Sequence, residues 1–200
     1  MEFLTALLVA YVAIVPVELP DKTFVATLVL STRYRPLPTW LGVVAAFGVQ
    51  CVIAVAFGAL LTKLPTRPVQ LVAALLFATG AFILARGAKK ADAEEKEQEA
   101  EFEAKAVEPK RGWRAAAASF AVLFTAEWGD LSQLLLAGLV ASGRPMLPTF
   151  LGGWLGLATV SGLAVLLGRW LLKRVKLSVI RYVGAGVCAV LAVVTLLSAL

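Results

Sequence analysis

Six apolar stretches, near residues 3-30, 39-61, 69-86, 115-140, 147-170 and 177-200, take up most of this 200-residue chain. A helix needs about 20 mostly apolar residues to cross a bilayer, so each stretch has roughly the length of one crossing. Little sequence is left for a separate soluble domain. Hydrophobic residues make up 60% and charged residues 16% of the chain, and the mean hydropathy is +0.86, far above what a water-facing surface tolerates. The expected fold class is therefore an all-α integral membrane protein with six transmembrane helices.

The net charge of +6 does not point to nucleic acid, because the basic residues lie at the ends of the apolar stretches and form no interleaved basic-aromatic surface. Membrane topology explains them better. With six spans, the loops near 31-38, 87-114 and 169-181 share one side and, with Arg86 at the edge of the second, carry fifteen Lys and Arg; the loops near 62-68 and 141-146 carry three, Lys63, Arg67 and Arg144. The positive-inside rule places the first set in the cytoplasm and both termini outside. Met1-Glu2-Phe3 lacks the positive start of a cleavable signal, so the first span is expected to stay in the mature protein and the plasma membrane is the expected location. Cys51 and Cys188 stand singly within apolar stretches and read as small buried residues. The chain has no histidine, which removes the commonest transition-metal ligand and the usual proton shuttle.

The two halves of the chain repeat one another. Laying residue 18 on residue 127 pairs Glu18 with Glu127, Asp21 with Asp130, Thr23 with Ser132, Arg35 with Arg144 and Pro36 with Pro145. After a shift of one residue, Pro38-Thr39 meets Pro148-Thr149 and Leu41-Gly42 meets Leu151-Gly152. Three spans per half is an odd number, so the second half enters the membrane in the opposite sense, as in many secondary transporters. The expected organisation is a first three-helix repeat over 1-86, a charged cytoplasmic linker over 87-112 and a second three-helix repeat over 113-200. The linker holds eight of the thirteen acidic residues and reads as a solvated helix or flexible connection.

The repeated segments carry the chemistry. Glu18-Leu19-Pro20-Asp21-Lys22-Thr23 and Glu127-Trp128-Gly129-Asp130-Leu131-Ser132 supply the only acids within the apolar stretches. Each ionised carboxylate at the bilayer centre costs on the order of 3 kcal/mol on insertion scales, and one lysine cannot neutralise four of them. Spacing of i and i+3 puts Glu18 with Asp21, and Glu127 with Asp130, on one face of a helix. Pro16 and Pro20 disturb the first helix and free carbonyl oxygens near Val12 and Pro16; Gly129 gives the second motif room to bend. If the halves face each other, carboxylates, carbonyls, Thr23, Ser132 and Gln133 converge near the midplane. Such an all-oxygen cluster suits hard divalent cations, Mn2+, Ca2+ or Mg2+, rather than Cu(I) or Zn2+. Protons can replace the departing metal, since crowded buried carboxylates hold protons more tightly. Metal is thus expected as a transiently bound cargo, with no resident cofactor.

At these motifs the chain resembles the GDT1 family, whose mark is two copies of E-x-G-D-K/R-S/T in a six-span protein. The resemblance implies export of Mn2+ or Ca2+ in exchange for protons, with Glu18, Asp21, Glu127 and Asp130 as the metal site and Thr23 and Ser132 as its terminal hydroxyls. Lys22, Gln133, Pro20 and Gly129 are the supporting positions. Pro20 stands where the first motif usually has glycine, and Leu131 where the second usually has a basic residue. Competing readings are a passive cation channel using the acids as a filter, an intramembrane aspartyl enzyme and an assembly factor; no nucleophile or cofactor pattern supports an enzyme. The expected partners are a divalent cation, the proton and the lipid bilayer, with no nucleic acid; a homo-oligomer is compatible with the sequence. Gln50 and Ser161 are expected in helix-helix hydrogen bonds, and Trp40, Trp113 and Trp170 in an interfacial aromatic belt.

Overall fold

The computed structural model describes residues 2-19, 22-105, 111-126, 128-174 and 177-200. Pro20, Asp21 and Glu127 lie outside the described residues. Among those described, the chain is helical: α1 (Glu2–Glu18), α2 (Lys22–Arg33), α3 (Pro36–Leu61), α4 (Thr66–Gly87), α5 (Ala91–Lys105), α6 (Trp113–Ala126), α7 (Leu131–Ala141), α8 (Met146–Arg174) and α9 (Leu177–Ala199), with a short 3-10 turn at Ala88–Lys90. The same order therefore occurs on both sides of α5: a pair of shorter helices, then two long ones.

Helices α3, α4, α8 and α9 are each long and apolar enough to cross a membrane, and a fifth crossing is present if α1 and α2 are taken together. The first and fourth apolar stretches, where helix breakers were expected to disturb the spans, are each divided into two helices. The first divides into α1 and α2, bent by 72°, and the fourth divides into α6 and α7. At about 1.5 Å per residue, the 12 residues of α2 and the 11 of α7 reach about half of a hydrocarbon core of about 30 Å. Both half-helices are deeply buried. Every residue of α2 from Thr23 to Ser31 is buried, as is every residue of α7 from Leu135 to Ala141. A helix covered on all sides needs no polar face, which is why neither segment shows a water-facing stripe.

Small residues let the remaining helices close around these two. Ala6, Ala10 and Ala13 of α1 are buried, and α1 packs on α8 as α6 packs on α3. A Cβ at Gly152 would strike the Leu7 carbonyl of α1, and one at Gly42 the Ala116 carbonyl of α6. These are corresponding positions in the two halves, and at both the backbones approach so closely that only glycine fits. Two tryptophans tie α3 to α8. Trp40 Nε1 donates to the Ala158 carbonyl at 3.1 Å, and Trp154 Nε1 donates to the Val44 carbonyl at 2.9 Å. Residue 40 facing 158 while 44 faces 154 means that these matching long helices run antiparallel. Trp40 is thus an interhelical donor, and Trp113 is 75% exposed. The Trp170 side chain lies outside the described residues.

Outward-facing positions are apolar, including Leu37, Phe57, Leu75, Phe82, Leu166 and Leu197. A soluble monomer does not present so much contiguous apolar surface; a bilayer covers it. Cys51 and Cys188 are both buried and free. Helix α5, within the charged segment, is anchored through Phe102, 3% exposed in the main core cluster. Arg181, expected in a loop, lies within α9 and is 8% exposed.

Candidate cation site

Neither motif lies on one continuous helix: α1 ends at Glu18 and α2 begins at Lys22, and α6 ends at Ala126 and α7 begins at Leu131. The expected sharing of one face by Glu18 and Asp21, and by Glu127 and Asp130, falls on Asp21 and Glu127, which lie outside the described residues. The proline in the break has no N-H to continue the ladder and restricts the residue before it, whereas Pro16 is accommodated within α1. The Pro16 carbonyl, left without a helical donor at residue 20, is approached by the backbone of α9, where a Cβ at Gly184 would lie 2.8 Å from it. At the second motif Gly129 has φ +75°, a left-handed conformation that side chains disfavour. Its N-H reaches Gln133 Oε1 at 3.4 Å, and Asp130 follows as the residue before α7, with extended backbone and no capping bond from its own side chain.

The breaks bring the two halves together. Glu18 is 1% exposed. Thr23 Oγ1 donates to Glu18 Oε2 at 2.7 Å, closing the first motif on itself across the break, and the Ser132 hydroxyl of the second motif also approaches the Glu18 carboxyl. Asp130 and Lys22 are near enough for their charges to act on it. Glu18 Oε1 and Asp130 Oδ2 are buried and have no hydrogen-bond donor among the described residues. A buried carboxylate oxygen without a donor is costly, and a cation is the natural partner for two such oxygens on facing segments. Among the described residues no three acidic, Cys or His side chains gather in one place; Glu18 and Asp130 are the two motif acids described.

The surroundings of the two acids differ. The space at Glu18, walled by Thr23, Phe24, Phe47, Leu157, Val160 and Ser161, is too small to admit a water molecule. Asp130 and Leu131 instead line a cavity of about 260 Å³ that extends to Glu94 and Gln98 of α5 and to Arg181 of α9. Gln50 of α3 donates through Nε2 to the Phe124 carbonyl of α6 at 3.3 Å, fixing the helix just ahead of the second break. Phe120, Phe124 and Trp128 continue as a ladder of ring contacts toward it, with centroids 5.4 and 5.3 Å apart. Ser161 bonds back to Ala158 within its own helix at 3.1 Å and so contributes only a wall. Sequence reasoning missed Arg181 and Glu94. A lone arginine early in the last apolar stretch was the available signal for the first; Glu94 is indistinguishable from the other acids of its run.

Bent helices, buried acids from two matched segments and a cavity reaching one of them define a multi-pass membrane transporter for a positively charged solute. Residues 6–92 and 115–200 match the GDT1 family of divalent cation/proton antiporters, and the chain belongs to that family. It is 30% identical over 200 residues to the GDT1-like protein sll0615 of Synechocystis sp., covering 96% of this chain and 97% of that protein. It is 29% identical over 196 residues to the chloroplastic protein PAM71 of Arabidopsis thaliana, covering 89% of this chain and 53% of PAM71. No solved structure matches the chain. The protein is thus a transporter rather than an enzyme, with a divalent cation and the proton as its substrates.

Proposed function

We propose that the protein exports Mn2+, with Ca2+ as the next candidate, in exchange for protons, and that Glu18, Asp21, Glu127 and Asp130 form the cation site. The observation that carries this reading is the meeting of the motifs. Glu18, fully buried at the first break, accepts from Thr23 of its own motif and is approached by Ser132 of the other, with Asp130 close enough to act on it electrostatically. Hard divalent cations take oxygen ligands from carboxylates and hydroxyls, which the described site offers in a chain without histidine, with the Cys51 thiol within electrostatic reach of Glu18. The four carboxylates and Lys22 together carry −3 when ionised. A divalent ion brings the cluster to −1, and its departure leaves acids that bind protons readily in apolar surroundings. The same groups then serve metal and proton in turn, with no resident cofactor.

The architecture proposed is two inverted repeats of three spans, 1-86 and 113-200, joined by the linker 87-112. Each broken helix pair counts as one span. The antiparallel run of α3 against α8, and the matched glycine contacts at Gly42 and Gly152, support this arrangement. Broken helices at the repeat interface are where such transporters bind their ions. The excess of basic residues on the linker side favours a cytoplasmic linker and external termini, in a plasma membrane. A passive channel is disfavoured because Glu18 is sealed by Phe24 and Phe47, with no room for water beside it.

Purified protein in liposomes, with Mn2+ and then Ca2+ flux followed under an imposed pH gradient, tests the function. Flux driven by the gradient and lost in Glu18→Gln supports antiport through this site. Flux indifferent to the gradient, or unchanged in the variant, would end the assignment. Thiol labelling of single cysteines placed in the 87-112 segment tests orientation: labelling from outside intact cells would reverse it.

A further inference from the structure

The cavity that reaches Asp130 ends at an ion pair that the cation site does not require. Arg181 Nη1 lies 2.7 Å from Glu94 Oε2 and also donates to the Gly87 carbonyl at 2.8 Å. The three residues line the same cavity as Asp130 and Leu131, so the pair occupies the mouth on the linker face. Its two anchors belong to different elements. The Gly87 carbonyl is at the C-terminal end of α4, where unsatisfied carbonyls attract cations, and a Cβ at Gly87 would sit 3.0 Å from Arg181 Nη1, so glycine makes the seat. Glu94 belongs to α5, which reaches across from the linker. The Arg181 side chain is only 10% exposed and that of Glu94 42% exposed. The arginine is therefore the inner part of the closure and the glutamate the solvent-side part.

The seated guanidinium, its charge balanced by Glu94, closes this end mainly by occupying it. Any divalent ion passing nearer to the guanidinium than to the carboxylate meets repulsion that is poorly screened in a low-dielectric setting. Leu131 sharpens the point. Its counterpart in the first half is Lys22, so the second motif lacks the positive charge that the first carries, and Arg181 is the cation that lines the space beside it. Of the two anchors, the Gly87 carbonyl belongs to α4, a long helix packed along α9, so Glu94, on the more exposed α5 side, is the anchor free to let go.

We propose that Arg181 and Glu94 form the gate of the linker-side mouth of the Asp130 cavity, so that a divalent cation reaches Asp130 only when the pair is parted and Arg181 swings out. The proposal rests on the cation reading for what passes through the mouth, but the closure itself is a matter of access. Its test reads access directly. Leu131→Cys, in a Cys51→Ala and Cys188→Ala background, is exposed to a membrane-impermeant methanethiosulfonate from the linker face of oriented vesicles, without any cation gradient. The intact pair gives slow labelling, and Glu94→Gln or Arg181→Gln speeds it about tenfold, the shift expected when a closed population loses its latch. The exchange Glu94→Arg with Arg181→Glu returns labelling toward the slow rate, which a merely misfolded protein would not do. Equal rates in the parent and Glu94→Gln, or fast labelling in the exchanged pair, overturn the gate. Because labelling needs no transport, a protein that carries no Mn2+ or Ca2+ defeats the function and leaves the gate testable; normal antiport with unaltered labelling does the reverse.

Discussion

The two helix breaks carry corresponding residues yet meet different surroundings. At the first, a proline-rich turn buries Glu18 to 1% exposure, Thr23 closes over one of its oxygens, and aromatic and aliphatic side chains seal the space beyond. At the second, a glycine at positive φ opens the chain, Trp128 is 58% exposed, and Asp130 borders a cavity of about 260 Å³. Duplication of a motif therefore does not duplicate its access. One acid is enclosed by side chains and the other borders open volume that ends at the Arg181–Glu94 pair, and the asymmetry is built from ordinary packing choices around the two turns.

Several substitutions can break this comparison or make it sharper. The largest effect is expected from filling the matched glycine seats. Gly42→Leu and Gly152→Leu each drive a side chain into a neighbouring backbone carbonyl, and overpacking of this kind costs about 1–3 kcal/mol or more. Both should lower the yield of folded protein and its thermal midpoint in detergent to a similar degree. A large difference between them would show that the halves do not share packing.

Next come the acids. Glu18→Gln should reduce gradient-driven Mn2+ flux by about 100-fold, since a change of about 2.8 kcal/mol in cation binding corresponds to that factor. Asp130→Asn, at the roomier break where water can substitute for a ligand, should lose about tenfold in the same assay. Equal losses would mean that burial does not distinguish the two acids. Leu131→Lys restores at the second motif the charge that Lys22 supplies at the first. It should raise the cation concentration for half-maximal flux several-fold, roughly the effect of about 1 kcal/mol of added repulsion; unchanged affinity would remove Leu131 from the account of selectivity. The smallest shifts belong to the hydroxyls. Thr23→Val and Ser132→Ala should each weaken apparent affinity by about fivefold, the equivalent of a single hydrogen bond of about 1 kcal/mol. Thr23 should be the larger because its bond to Glu18 is 2.7 Å.

Much of this was legible before any coordinates. Six apolar stretches, a repeated E-x-x-D segment in the first and fourth, and the absence of histidine pointed to a membrane protein with oxygen-rich intramembrane sites. Hydropathy sums over neighbours in the chain, and a bilayer imposes its rule on every span alike, so these inferences need no tertiary contacts. The helix breakers were visible too, at Pro16, Pro20 and Gly129. What could not be read was how far they act: whether a span bends or divides depends on which helices pack beside the break, as α9 does at Pro16, where a Cβ at Gly184 would meet the carbonyl.

Trp40 shows the same limit. Its position near a span end suggested a lipid interface, but a partner 118 residues away, Ala158, claims its N-H. Arg181 is the clearest case: counted by sequence among loop charges, it is buried by α4 and α5 and held by a carbonyl and a carboxylate that no local pattern links to it. Local composition and repetition determined that this chain lives in a bilayer and where its acids lie along it. Only the packing of distant segments decided that Glu18 is enclosed, that Asp130 borders a cavity and that Arg181 lines the same cavity, because burial and charge pairing depend on which helices become neighbours.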